Sequence, residues 1–528
     1  MQPTDPDKIR PDSTSPAEDP VPKSGLAASA VSGLRWNYLG NIITAICQLT
    51  IGAILARILG PKPFGQITIA ATIYGLANLF TDGGFSSALI QKAELNELEV
   101  RSTFWFQSGI GFGVAGLIVL AAPLLARVFG DTSATSVVRV MSLIIAVQGL
   151  GLTSSALLRR ELRFKVIQRS TILSYIIGYL LVGIPLAYLG AGVWALVAAY
   201  LTQAASTTIL LYATERHSLK PSWKMPPRSM SVFGSQIIIG NVANWAHSNL
   251  DNLAVGHNLG SNALGLYGRV CSFAFAPCNS FVGGLQAVLF SSAAKLQKRK
   301  EALAELALVA IALTLAIMGP AFMTFAAIPG VVIIGLYGMK WVHAVPLMTP
   351  MAIAVLINTC MAVLGPVLNG SGKPGRETWP QVFTAGLAGA AYFAVARHYS
   401  LVALTWTVCG MYVIRFLAIA VAAFTTLQVS WWGAFKVLLR GSAFSLLFAF
   451  VIHTLDHYAL AGFQPLLRLG LVFLASVLLL AASLYTAPAS ILGDHTMDFL
   501  IRYGAAFPAK FITHLRRKSR VIAAAPAA

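Results

Sequence analysis

Between residues 36 and 487 long apolar runs alternate with short polar breaks, and the runs are apolar on every side. Each is close to the ~20 residues that a helix needs to cross the hydrocarbon core of a bilayer. Inside a bilayer only helices and closed barrels satisfy every backbone group, and barrel strands would alternate apolar and polar residues over about 10 positions. The runs therefore predict helices. They fall near 36–59, 64–90, 102–129, 136–158, 170–189, 192–213, 231–256, 265–290, 304–328, 342–369, 379–396, 401–424, 440–460 and 466–487, numbered here as spans 1 to 14. Pro320, Pro329, Pro346 and Pro350 punctuate the stretch 320–350, so its limits are the least defined. The longest polar gap, around Thr214–Met230, is far shorter than a folding domain. Any chemistry must lie among the helices.

Composition agrees. The chain is 56% hydrophobic and 11% charged, against roughly a quarter charged in a soluble domain. The net charge of +19 would raise nucleic acid as a partner. Its distribution argues instead for the excess of Lys and Arg on cytoplasmic loops of membrane proteins. With the N-terminus inside, Arg159, Arg160, Arg163, Lys165 and Arg169 share the inner side with Lys295, Lys298, Arg299, Lys300 and the C-terminal Lys510, Arg516, Arg517, Lys518 and Arg520. Both termini are thus expected in the cytoplasm. Residues 1–30, rich in Pro, Asp and Ser with no apolar core, read as a disordered tail and not as a cleavable signal. Residues 491–528 read as a basic cytoplasmic segment.

A displacement of 200 residues reveals a repeat. Gly40-Asn41 falls on Gly240-Asn241, Leu59-Gly60 and Gly65 on Leu259-Gly260 and Gly265, and Gly83-Gly84 and Leu89 on Gly283-Gly284 and Leu289. Such internal similarity marks transporters made of two repeats. Six spans separate the copies, so both face the same way. The expected architecture is all-α: a lobe of spans 1–6 (31–215), a lobe of spans 7–12 (231–425), and an addition of spans 13–14 (436–490).

Polar residues inside the spans are the candidate chemistry. Asn37, Asn41, Thr44 and Gln48 lie on one face of span 1, and Asn241, Asn244, Ser248 and Asp251 on one face of span 7. Interhelical hydrogen bonding is the plain account of the amides and hydroxyls. Asp251 differs, because an acid near a helix centre costs roughly 2.5–3.5 kcal/mol to insert. It calls for a cavity or a partner, and His247, four residues earlier, is within reach. Asp82 either caps a helix break at Gly83-Gly84 or lines the cavity. Arg415 in span 12 either binds an anion or snorkels to an interface. Arg57 and Arg269 lie near expected span ends, where snorkelling accounts for both. The match of Gly111–Gly116 to a nucleotide-binding glycine pattern lacks the strand that pattern needs. No metal-ligand spacing and no cofactor motif is found. The five cysteines all lie in apolar runs.

The segments LARILGPKPFGQITIA, LFTDGGFSSALIQ and LDNLAVGHNLGSNALGLYGR resemble the Wzx-type polysaccharide flippases, in the polysaccharide transporter branch of the multidrug/oligosaccharidyl-lipid/polysaccharide exporter superfamily. The similarity covers about residues 31–490 in span pattern, and its sharpest motifs lie in spans 1–2 and 7–8. It implies two six-helix lobes and often two further helices. It also implies transfer of a polyprenyl-diphosphate-linked oligosaccharide from the cytoplasmic to the outer leaflet of a bacterial inner membrane, by alternating access. One departure is Phe290-Ser291, where the family has a helix-breaking Phe-Pro. The expected partners are the lipid-linked oligosaccharide, membrane lipids, and a polysaccharide polymerase with its chain-length machinery. H+ or Na+ would be the coupling ion, with Asp251 as its site. The alternatives are an ion-coupled drug exporter of the same superfamily, and a membrane polymerase or ligase, for which no clustered carboxylates or long loop are present.

Overall fold

The computed structural model describes residues 23–498 except 83–84, 93–94, 222–227, 298, 373–374 and 494–495; side chains of 23–35, 37–38, 87–88, 91, 228–241, 243–244 and 287 also lie outside the described residues. All regular structure among the described residues is helical. Span 1 is Lys23–Leu59. Gly60 ends it at φ +77°, a conformation that favours glycine. Pro61 then opens span 2, Pro61–Asp82, where a missing N–H costs nothing. A short helix, Phe85–Gln91, follows. Span 3, Glu97–Val128, starts from a capping box in which the Asn96 side chain accepts from the backbone and Glu99 reaches back. Span 4 is Thr135–Arg160. Span 5 runs from Phe164 to Tyr188 through a π-helical stretch, Ile176–Gly183. Span 6 is Val193–Thr214.

The second lobe repeats the opening device. Spans 7 and 8 form one run, Arg228–Lys295, turned at Gly260 with φ +79°. Gly60 and Gly260 are equivalent under the 200-residue repeat, and both hold the same strained-for-others geometry. Span 9 is Lys300–Ala327. It is followed by a short helix, Pro329–Tyr337, and a 3-10 stretch, Met339–Ala344, which the sequence pattern had not separated. Span 10 is Val345–Ala362, extended by Leu364–Gly370. Spans 11 to 14 are Gly375–His398, Leu401–Leu427, Trp431–Leu455 and Pro465–Thr486.

Eleven described segments are long and apolar enough to cross a membrane, and one of them, Trp245–Lys295, holds most of spans 7 and 8. Pro61–Asp82 and Gly375–His398 complete the fourteen crossings. Those two are more polar because each faces a cavity, through Thr68 and Thr72 in one and Glu377 and Gln381 in the other. Large apolar side chains cover the outside, as in Leu120 at 81% exposed and Phe473 at 68%, which only lipid would accommodate. The chain is a multi-pass membrane protein.

Two boundaries differ from expectation in ways that matter below. Span 8 begins at Ser261 and not near 265, because Gly260 makes the turn alone. Span 11 begins at Gly375 and not at 379. Span 8 runs unbroken to Lys295, in keeping with the absence of a proline after Phe290.

The lobes meet closely where spans 2 and 8 begin. A Cβ on Gly65 would overlap the carbonyl oxygen of Ser261, and one on Gly265 would overlap that of Pro61. Each would also lie 3.0 Å from the other glycine's backbone nitrogen. Residues 61 and 261, like 65 and 265, are repeat equivalents, so the contact is reciprocal and lies on a pseudo-two-fold axis. Span 13 packs on span 9, where a Cβ on Gly441 would meet Leu315 at 2.6 Å. Span 14 is tied to the end of span 13 by Arg468, which grips the buried Asp456 carboxylate with two hydrogen bonds of 2.5 and 2.6 Å.

Candidate functional site

Described residues line two adjoining polar cavities within the bundle. The central one, about 540 Å³, sits between the lobes and is walled by spans 1, 2, 5, 6, 7 and 8 and the end of Pro329–Tyr337. The second, about 450 Å³, lies inside the second lobe among spans 7, 8, 10, 11 and 12. Asn252 and Cys271 line both, so the two adjoin.

Arg269 is the charged residue on the described lining of the central cavity. Its guanidinium carbon lies 5.1 Å from the Phe64 ring centre and 4.8 Å from that of Tyr337. Such cation–π contacts contribute about 0.5–2 kcal/mol each. Gly52 leaves the space it occupies, since a Cβ there would overlap the guanidinium. The Nε atom is buried without a hydrogen-bond partner. A charged donor held between rings and left unpaired is costly unless an anion or water meets it. The snorkelling expectation for Arg269 is therefore wrong. With span 8 starting at Ser261, Arg269 lies about 12 Å along the helix, too deep to reach an interface from that end. Gln48, Gln203, Asn249 and Asn252 add amides to this cavity, and Tyr175, Tyr179 and Tyr200 add an aromatic wall. Tyr175 and Tyr179 stack at 4.4 Å across the start of the π-helical stretch, a local geometry often found at functional sites.

The second cavity holds His247, Asp251, Glu377 and Arg415. His247 and Asp251 were expected to meet. Their hydrogen bonds go elsewhere: Arg415 Nη1 contacts His247 Nε2, and the Tyr267 hydroxyl donates to Asp251 at 2.6 Å. The backbone N–H of Asn252 donates to the same carboxylate at 2.8 Å. Arg415 is 7% exposed, so it serves the cavity and does not snorkel. Glu377 accepts from Asn369 Nδ2 and Gln381 Nε2, both at 2.8 Å. Sequence reasoning missed Glu377 because span 11 was started four residues late.

The other candidates separate. Gln48 lines the central cavity. Asn41 is exposed and accepts from Gln168 Nε2 at 3.2 Å, joining spans 1 and 5. Asp82 lines neither cavity; it accepts from the Ser86 hydroxyl and from Gln107 Nε2 at 3.5 Å. The side chains of Asn37, Asn241 and Asn244 lie outside the described residues. No cluster of three or more potential metal ligands occurs among the described residues.

The chain is similar to known proteins. The chain is 26% identical over 355 residues to the succinoglycan biosynthesis transport protein ExoT of Rhizobium meliloti, which covers 67% of this chain and 72% of that protein. It is 24% identical over 359 residues to the lipopolysaccharide biosynthesis protein WzxC of Escherichia coli, covering 65% and 70%. Among solved structures, the lipid II flippase MurJ in an inward closed conformation matches with a TM-score of 0.65 at 14% identity, covering 85% of this chain and 98% of that one. An inward-facing multidrug resistance MATE transporter matches with a TM-score of 0.55 at 14% identity, covering 74% and 94%. These two show the shared fold. A family model described as polysaccharide biosynthesis protein matches residues 54–346, more than half of the chain, and the protein belongs to that family.

Proposed function

We propose that the protein is a flippase that moves polyprenyl-diphosphate-linked oligosaccharide units across a bacterial inner membrane, for exopolysaccharide, capsule or lipopolysaccharide synthesis. The observation that carries this is Arg269, held between two rings with a buried unpaired Nε in a cavity between two pseudo-symmetric lobes. A diphosphate is the part of such a cargo that needs a cation in low dielectric. Amides and tyrosines suit the sugars, and about 540 Å³ falls within the range of ligand sites. The names of the relatives, among them a succinoglycan transport protein, support the same class of cargo.

The protein moves glycans and forms no glycosidic bond. Rocking of the lobes about their shared axis would expose the cavity to each side in turn. Asp251 and Glu377 in the adjoining cavity would take the coupling ion, H+ or Na+. The basic inner loops would orient both termini toward the cytoplasm, and a polymerase and chain-length machinery would act downstream on the outer side. A strain lacking the protein should accumulate lipid-linked repeat units on the cytoplasmic leaflet with its glycosyltransferase activities intact. Normal polymer export with raised drug sensitivity would replace this reading by that of a drug exporter.

A further inference from the structure

The end of the bundle at which spans 1 and 7 finish holds contacts that cargo binding does not use. The last carbonyls of a helix lack partners within it and carry partial negative charge. Here the two lobes cap one another. Arg57, in the last turn of span 1, donates from Nε to the Leu336 carbonyl at 2.8 Å and from Nη2 to that of Gly335, near the C-terminus of Pro329–Tyr337. In return, Trp341 Nε1 donates to the Ala56 carbonyl at 2.9 Å and Lys340 Nζ to that of Ile58 at 2.8 Å, at the C-terminus of span 1. The repeat equivalent of Arg57 is His257, and its Nδ1 lies 2.7 Å from the Val128 carbonyl, at the C-terminus of span 3. A carbonyl only accepts, so Nδ1 carries the proton. In both copies a basic side chain ending the lobe's first helix caps a helix of the opposite lobe. In both, a glycine of positive φ follows the capped end, Gly130 in one and Gly338 in the other.

We propose that these reciprocal caps are a latch that seals the outer mouth of the central cavity, and that Trp341 ties the latch to the cargo site. Leu55 lines the cavity at 1% exposed, and Ala56 and Trp341 beyond it are fully buried, so the cavity ends at this layer. The Trp341 ring lies 5.6 Å from Phe64 and 5.5 Å from Tyr337, the two rings that hold Arg269. An anion at Arg269 competes with both rings for the guanidinium, and the same rings seat the indole that caps span 1. Opening this end requires every cap to break together. The link to cargo rests on the flippase reading; the seal does not.

The test uses the full-length protein in right-side-out vesicles, its five cysteines replaced by alanine and one introduced by Ala71→Cys on the cavity wall. A membrane-impermeant maleimide supplied outside should label this parent slowly, and label Arg57→Ala and Trp341→Phe about tenfold faster. Phenylalanine keeps the ring and removes the N–H. Equal rates in all three overturn the latch, as does acceleration only when reagent is supplied to the other face. Independently of whether those variants fold, a short thiol cross-link between Arg57→Cys and Leu336→Cys should block export until reduced; export through the cross-linked protein overturns the proposal. Farnesyl diphosphate loaded inside the vesicles should speed labelling of the parent from outside and leave an Arg269→Gln version unchanged. No response in the parent overturns the tie through Trp341. Failure of the flippase reading would show in the deletion strain and leave the labelling rates of the latch variants as expected.

Discussion

Arg269 shows how a single side chain acquires a task from its surroundings. An arginine in a bilayer is costly, and it persists where a cavity, rings or counter-charges meet it. Phe64 and Tyr337 hold the cation while leaving Nε free, so the group is oriented without being neutralised. Arg269→Gln should lower export about tenfold or more and leave the thermal unfolding midpoint near that of the parent. Arg269→Lys should recover only part of the loss, because an ammonium lacks the planar fork that stacks between rings. Asp251 makes a complementary case. Its carboxylate accepts from the Tyr267 hydroxyl and from the backbone N–H of Asn252. Asp251→Asn should abolish any dependence of export on an H+ or Na+ gradient; unchanged ion dependence would remove Asp251 from the coupling role.

At the scale of elements, breaks matter as much as spans. Gly60, Gly260 and Pro329 end or restart helices where the cavity walls must turn. The segment that follows span 6 is strapped to the first lobe. Arg101 donates to the carbonyls of Lys220 and Pro221 at 3.1 and 3.2 Å, and Arg163 pairs with Glu215 at 2.8 Å. His217 packs between Phe104 and Tyr212, its two ring nitrogens buried. Burial lowers its pKa below the usual 6.5, which the backbone of Ser218 only partly offsets. The unfolded strap therefore takes up a proton more readily than the docked one. Docking is fully favourable above about pH 6.5 and weakens as pH falls below it toward the lowered value. Tryptic cleavage after Arg216, taken relative to cleavage of the unfolded chain at the same pH, should rise between pH 8 and pH 5.5 in the parent, and stay flat in His217→Phe.

At the scale of the molecule, the pseudo-two-fold axis organises the packing. Gly65 and Gly265 sit on it with backbone against backbone, so neither can yield to an added methyl group. Gly65→Ala or Gly265→Ala should each cost about 1–3 kcal/mol, as overpacking does, and lower the thermal midpoint in detergent. Gly283→Ala meets nothing within 4 Å and should not. Among the glycines matched at a 200-residue offset, Gly60 and Gly260 are required by their turns and Gly65 and Gly265 by this axis. Sequence alone could show that these positions matched, though not that Gly65 touches Gly265. Gln48, His247, Asp251 and Arg415 were found from sequence because polar groups stand out in apolar helices. Arg269 was read as an interface residue because span 8 was started four residues late, and Glu377 was missed because it lay two residues before the expected start of span 11.

The sequence by itself determined that the chain is a bundle of membrane helices built on a repeat, since hydrocarbon admits only helices and closed barrels, the apolar runs are too long for barrel strands, and their spacing along the chain is one-dimensional information. The tertiary structure alone decided which polar groups face one another. Helix rotation and start points set that outcome, and they depend on packing between segments some 200 residues apart. Hence His247 meets Arg415 and not Asp251, Arg269 faces a cavity and not an interface, and the ends of the two lobes cap each other.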